Sequence, residues 1–378
     1  MDLETCTYAE GAWSLPALPD LDSPRTLVLV FGASGLLDRP APLLELGGTY
    51  PTSHLLGCST AGEISGAGVS DDSLSVAVVR FHRTDLRSAF APTGTSDGSF
   101  AAGRAIASQL QGPALRGVIL LSDGLTVNGS ELIAGINDVL PNTVVVTGGL
   151  AGDGDRFQRT WVMQGGRPAQ GGVSAVGLYG DSLIIGHGSQ GGWDFFGPER
   201  RVTRSSGNVL YEIDGRPALS LYRRYLGERA SGLPATALLF PLGLRAQHGD
   251  DKTLVRTVLA IDEENQSMTF AGDIPEGSIV QLMRSNIDRL IGGASEAGRR
   301  LHASSDAPGA RLGIAISCVG RRLVLGERAE EEIEAVLNAL PAATQLVGFY
   351  SYGEIAPGAD GRCDLHNQTM TLTMLAER

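Results

Sequence analysis

The chain has 378 residues, 42% of them hydrophobic, with 30 lysines and arginines against 42 acidic residues and a net charge of −12. Such a length holds two domains with cores of their own, since a single core rarely grows beyond about 250–300 residues. The acidic balance argues against nucleic acid or an anionic membrane as a main partner, because both demand a basic face, and no apolar run approaches the ~20 residues that span a bilayer.

From the N-terminus, Met1-Asp2-Leu3-Glu4-Thr5-Cys6 is acidic and lacks the basic-then-apolar pattern of a secretory leader. Cys6, Cys58, Cys318 and Cys363 form no C-x-x-C pair and no dense framework, so each reads as a reduced thiol buried as a small hydrophobe. The expectation is a cytoplasmic protein, with 1–24 as an N-terminal segment.

Strand TLVLVF (26–31) comes next, an apolar run bounded by turn residues. After a Pro- and Leu-rich connection, HLL (54–56) enters a Gly-rich turn, and LSVAVVRF (74–81) closes the unit as a strand dense enough in Val, Ala and Leu for burial on both faces. A second unit starts with strand GVILL (117–121). A helix follows with Leu132, Ile133, Ile136, Val139 and Leu140 on one face and Asn128 or Ser130 as N-cap. Strand TVVVT (143–147) leads into another Gly-rich turn, and 174–179 with 182–186 reads as a hairpin around Gly180-Asp181. The basic stretch Arg200-Arg201-Val202-Thr203-Arg204 reads as a solvated loop.

A mixed segment follows: a helix at 217–226, strands near 236–240, 253–261 and 267–271, and one long helix over 282–302 interrupted by Gly292-Gly293. The last unit repeats the plan with strand LGIAIS (312–317), a helix at 330–340, an apolar run QLV (345–347) into a turn, and strand MTLTML (370–375). The chain therefore reads as mixed α/β, with repeated strand-helix-strand-strand units forming two packed modules, 25–225 and 226–378.

Two of the turns share the frame G-x-x-x-x-G-E-I: GCSTAGEI (57–64) and GFYSYGEI (348–355). A looser echo, GGLAGDG (148–154), follows the 143–147 strand. Recurrent Gly-rich turns after strands mark one supersecondary unit copied along the chain, and they let a ligand approach bare backbone. They carry Cys58, Ser59, Thr60, Glu63, Gly149, Asp153, Arg156, Tyr352 and Glu354, with Asp123 and Asn367 at neighbouring strand ends. Ligands of open α/β sheets sit outside the carboxyl ends of strands. Carboxylates, an arginine and exposed N–H groups suit a zwitterion such as an amino acid, with Arg156 on its carboxylate and Asp153 or Glu354 on its ammonium. The competing reading is that Glu63 and Glu354 only brace their own turns.

Other chemistries find less support. FGASG (31–35) follows a strand, but Pro40 and Pro42 oppose the immediate helix a dinucleotide fingerprint needs. There is no Walker loop and no G-x-S-x-G elbow, which leaves Cys58 or Ser59 as the nucleophile of an enzyme reading. Cys363-x-x-His366 has ligand-like spacing without the further pair of a closed zinc site.

LGCSTAGEI (56–64), VILLSDGLTVNGSEL (118–132), GGLAGDGDRFQRT (148–160) and NVLYEIDGRPALSLY (208–222) resemble the first module of the FIST domain. DIPEGSIVQLM (273–283), GFYSYGEIAP (348–357) and HNQTMTLT (366–373) are similar to its second. The resemblance implies a sensory protein that binds a small ligand, with amino acids proposed, and that signals without catalytic turnover to a separate histidine kinase or diguanylate cyclase/phosphodiesterase. It also implies, for one stand-alone branch, haem binding and nitric-oxide sensing. A haem iron needs an axial ligand, and the candidates are His187, in Gly186-His187-Gly188, and His366, in the HNQT segment.

Overall fold

The computed structural model describes residues 1–94, 98–233, 235–250, 253–302, 309–358 and 361–378. The alternation of apolar strands with helices builds three mixed sheets, each around one parallel pair: Thr26–Gly32 with His54–Ser59, Leu115–Ser122 with Val145–Leu150, and Arg311–Cys318 with Thr344–Ser351. Beside each first strand runs an antiparallel return strand, Leu74–Arg80, Gly172–Tyr179 or Met370–Glu377. A strand from earlier in the chain flanks that side: Asp2–Ala9, Asp85–Pro92 or Leu183–Gln190.

On the other side each sheet borrows a hairpin from a different unit. Glu63–Ser65 pairs with Thr344–Ser351, Val162–Gln164 with His54–Ser59, and Gly353–Pro357 with Val145–Leu150. The exchange is cyclic, so the body is a pseudo-threefold triplication whose units are locked together by their hairpins. Hydrogen-bonded sheets thereby join the two halves read from the sequence. The inner faces of all three sheets meet in one core that includes Leu29, Leu121, Ile314 and Val347. At its centre Phe31 stacks on Phe349 with centroids 4.8 Å apart. Helices cover the outer faces, among them Ser99–Leu110, Gly129–Asn137, Ile287–His302 and Ala329–Ala339. Asn128 caps its helix by accepting from the N–H groups of Ser130 and Glu131, as its sequence position predicts.

Residues 194–284 form an inserted unit with its own core and strands such as Asp194–Ser206 and Ile279–Arg284. It docks on the body through buried polar contacts: the Arg256 guanidinium donates to the Leu365 carbonyl at 3.1 Å, and Gln368 Nε2 donates to the Leu238 carbonyl at 2.9 Å.

Several local expectations are corrected. Segments 174–179 and 182–186 do not form a hairpin, because Gly180, at φ 119°, carries the chain out of the second sheet and Leu183–Gln190 joins the third. The basic stretch at 200–204 lies in a strand, with Arg200 on Asp214 and Arg204 on Glu212. Segment 236–240 lies largely in a 3-10 helix, Ala235–Leu239. The long helix over 282–302 is a strand to Arg284 and a helix from Ile287, with Asn286 Oδ1 accepting the Arg289 N–H at 2.9 Å. Gly292-Gly293 does not interrupt that helix. A Cβ at Gly293 would lie 2.1 Å from the Gly191 carbonyl, so glycine there serves close packing. No helix among the described residues is long and apolar enough to cross a membrane.

Candidate functional site

The three Gly-rich turns meet at the carboxyl ends of their strands and close a ring of backbone hydrogen bonds. Ala61 N–H donates to Tyr350 O at 2.7 Å, Tyr352 N–H to Leu150 O at 3.1 Å, and Gly152 N–H to Ser59 O at 2.9 Å. Counted from Gly57, Gly148 and Gly348, the donors hold one equivalent position and the acceptors another. The three sequence echoes are thus one structural element in three copies.

The G-E-I carboxylates are braced alike. Glu63 accepts from the Thr60 hydroxyl and, on its other oxygen, from the Ser73 N–H at 3.0 Å and hydroxyl at 2.7 Å. Glu354 accepts from the Ser351 hydroxyl at 2.8 Å and from the Thr369 N–H and hydroxyl at 3.0 and 2.9 Å. Burial raises both carboxyls to about 7, opposed by those hydrogen bonds.

The middle turn departs from this pattern. In strand register, Val162 opposite Cys58 takes the place that Glu63 holds opposite Phe349 and Glu354 opposite Gly149. An extra loop, 153–160, is spliced in before it. Asp153 anchors the loop: Oδ1 accepts from Ser34 and from Arg156 Nε at 2.9 Å, and Oδ2 accepts from the Arg159 N–H at 3.1 Å. Burial alone would raise this carboxyl, but the bonds from Ser34, Arg156 and Arg159 outweigh it and hold the group below its ordinary range.

A cavity of about 380 Å³ opens beside the ring. Thr60, Gly62 and Glu63 line it from the first turn, and Gly154, Asp155 and Arg156 from the extra loop. Asp71 and Asp72 form another wall, and Arg322 comes from the short helix Val319–Leu325. Arg322 donates to Ala61 O at 2.6 Å and to both Asp71 oxygens at 2.8 and 2.7 Å. Gly62, at φ 131°, leaves room for that guanidinium, which a Cβ would meet at 2.3 Å.

The residues expected at the site do not form one cluster. Thr60, Glu63 and Arg156 share the ring cavity. Arg156 and Asp153 are paired with each other at 2.7 Å, so Asp153 does not stand open for an ammonium. Cys58 and Gly149 lie within buried strands, and burial pushes the Cys58 thiol far up. Ser59 is buried, its hydroxyl accepting the Trp161 N–H at 3.0 Å. Asp123 holds its own turn by accepting the N–H groups of Leu125 and Thr126 at 2.9 Å each. Tyr352 stacks on Phe157 at 4.5 Å and donates to Gly154 O at 3.0 Å, stiffening the extra loop. Glu354 is fully buried away from the ring cavity.

Asn367 belongs to a second cavity, a cleft of about 580 Å³ between the body and the inserted unit. His187 and His366, far apart in sequence, both line it, with Trp193, Met283 and Arg300. Burial lowers the His187 imidazole below its usual range. The described residues contain no cluster of three metal-ligating side chains.

Sequence reasoning missed Arg321 and Arg322. Arg321 is fully buried against Glu332, its Nε donating at 2.8 Å, while Glu332 also accepts from Tyr350 and Ser317. The visible signal was a doubled arginine in the apolar stretch Val319–Leu325. Asp71, Asp72 and Arg300 carried no local signature.

The chain is 27% identical over 244 residues to the uncharacterized protein MJ1623 of Methanocaldococcus jannaschii, a match covering 56% of this chain and 45% of that one. The aligned region thus spans less than half the length of that relative. A cyanuric acid hydrolase from A. caulinodans aligns over 93% of this chain and 90% of its own, at 8% identity and a TM-score of 0.38, a likeness too slight to bear on activity. The FIST N domain model matches residues 26–216 and the FIST C domain model residues 218–357. With both models matched in order along most of its length, the chain belongs to the FIST family of small-ligand sensory domains in signal transduction.

Proposed function

We propose that this FIST protein senses an amino-acid-like zwitterion held in the ring cavity and reports it to a separate signalling protein, a histidine kinase or a cyclic-dinucleotide enzyme. The observation that carries the reading is the mixed charge of that cavity, where Arg156 and Arg322 stand among Asp71, Asp72 and Asp155. Cations and carboxylates on one small concave surface match the two ends of a zwitterion. The walls come from both matched halves, 60–72 and 154–156 from the first and Arg322 from the second. A ligand bridging them that binds one conformation of the chain tenfold better than another shifts that equilibrium by ~1.4 kcal/mol. In a thermal-shift panel of amino acids, some members raise the melting temperature of the native chain and none raises that of Arg156→Ala. An equal rise in both proteins contradicts the assignment.

Signalling without turnover is part of the proposal. Burial of Cys58 and of the Ser59 hydroxyl supports it, since neither lines either cavity. An alkylating reagent is expected to leave Cys58 of the native protein unmodified; rapid labelling would revive the enzyme reading.

A second reading, haem binding with nitric-oxide sensing, is favoured by the convergence of His187 and His366 on one cleft. Either imidazole would serve as an axial ligand, with Arg300 near enough to the cleft to meet a propionate. A Soret band on haem addition, lost in His187→Ala or His366→Ala, is the expected signature. A colourless protein that ignores haem contradicts it.

A further inference from the structure

The cleft between the body and the inserted unit differs from the ring cavity in charge and in what it leaves unsatisfied. Its apolar wall includes Phe195, Val255 and Met283 from the inserted unit. Trp193 also lines the cleft, its indole N–H donating to Gln368 O at 2.9 Å. Among the described residues that line the cleft there is no Asp or Glu, while Arg300 brings a guanidinium, which also meets Glu296 at 3.5 Å and donates to the Ser189 carbonyl at 3.1 Å.

Asn367 is fully buried and lines the cleft, yet its Nδ2 has no hydrogen-bond partner. Its amide orientation follows from the other side, where Oδ1 faces the Thr257 N–H at 3.5 Å. A buried amide donor without an acceptor is costly, so the site is incomplete until an acceptor arrives. The Thr369 hydroxyl, which donates to Glu354, does not accept from Asn367 Nδ2.

We propose that this cleft is a second ligand site, one that takes a carboxylate carried on a planar apolar body. Asn367 Nδ2 donates to one carboxylate oxygen and Arg300 offsets the charge, while the planar body lies among Trp193, Phe195 and Met283. The assignment stands on a cavity separate from the ring and does not depend on the zwitterion reading; its haem source rests on the second reading above, its aromatic-acid source on neither. Two sources share this chemistry: a small aromatic acid, and haem, whose propionates are carboxylates on a planar ring.

The test is calorimetric titration of the full chain with benzoate and with benzamide, alongside haem followed by its Soret band. Asn367→Asp keeps the acceptor facing Thr257 but replaces the donor with a carboxylate; Arg300→Gln, on a half-exposed helix surface, removes the charge at the cost of only a surface pairing with Glu296 and one bond to the Ser189 carbonyl. The proposal predicts benzoate or haem binding at millimolar concentration or below, weakened at least about tenfold by each substitution. A small aromatic acid as source gives benzoate binding well above benzamide; haem as source gives a Soret band that Asn367→Asp diminishes. Benzamide binding as well as benzoate overturns the carboxylate assignment. So does haem binding indifferent to both substitutions, which would place recognition on the histidines alone, and so does binding by neither probe.

Discussion

Glu63 and Glu354 hold the same place in their units, each gripped by the hydroxyl three residues earlier and by the N–H and hydroxyl of a residue beside the return strand. Only Glu63 borders the ring cavity. Around the first turn, Gly62 makes room for Arg322, which reaches out to the exposed Asp71. Around the third, Gly353 packs against Leu365 and Asn367, and the fully buried Arg321–Glu332 pair lies behind Tyr350. The repeated motif therefore builds a scaffold, and the neighbours decide whether a copy becomes a binding surface. Adjacent arginines on one short helix divide these tasks: Arg321 holds the core and Arg322 faces the cavity.

The comparison breaks most sharply at those arginines. Arg321→Ala leaves the fully buried Glu332 carboxyl without its guanidinium partner and is expected to cost ~3–5 kcal/mol in urea unfolding. Arg322→Ala loses a pairing with a largely exposed aspartate and is expected to cost about 1 kcal/mol. Equal losses would mean that both serve the core.

The braced carboxyls give the next effect. Both are raised from 4.5 to about 7 by burial, so the folded chain holds these protons more tightly than the unfolded one. Their contribution to stability is therefore complete below about pH 4.5 and is lost as pH rises through 7. Each accounts for at most ~3 kcal/mol of that decline. Glu63→Gln with Glu354→Gln is expected to flatten stability between about pH 5 and 8; an unchanged slope would place its origin elsewhere.

A smaller effect separates the two glycines. Gly62→Ala, at positive φ and against Arg322, is expected to cost ~2 kcal/mol, and Gly353→Ala less, since only the Leu365 side chain must yield. A comparably small effect, about 1 kcal/mol, is expected of Arg156→Ala, whose guanidinium is more than half exposed but whose loss leaves the buried Asp153 with only Ser34 and backbone N–H groups as partners.

Much of the body was legible in sequence because its first strands are buried on both faces and read as continuous apolar runs, as at Thr26–Gly32 and Arg311–Cys318. The Gly-rich frames were legible because each turn must fill one position in the ring. Their cyclic joining was not, since a hairpin such as Glu63–Ser65 looks the same locally whether it folds onto its own sheet or a neighbour's. The second turn was only half legible: loop 153–160 displaces the hairpin start, so Val162 stands where the other two frames carry their glutamate. Of the residues lining the two cavities, Arg156 and the histidines were named from sequence by residue type. Arg322, Asp71 and Arg300 escaped because their roles depend on partners brought together by the fold.

The most direct test of the ring cavity as the sensing site is calorimetric titration of an amino-acid panel into the native chain, Arg156→Ala and Asn367→Asp. The account predicts binding by at least one amino acid that Arg156→Ala weakens at least about tenfold and Asn367→Asp leaves unchanged. Binding that survives Arg156→Ala and is lost in Asn367→Asp would contradict it and move the sensor's ligand to the cleft.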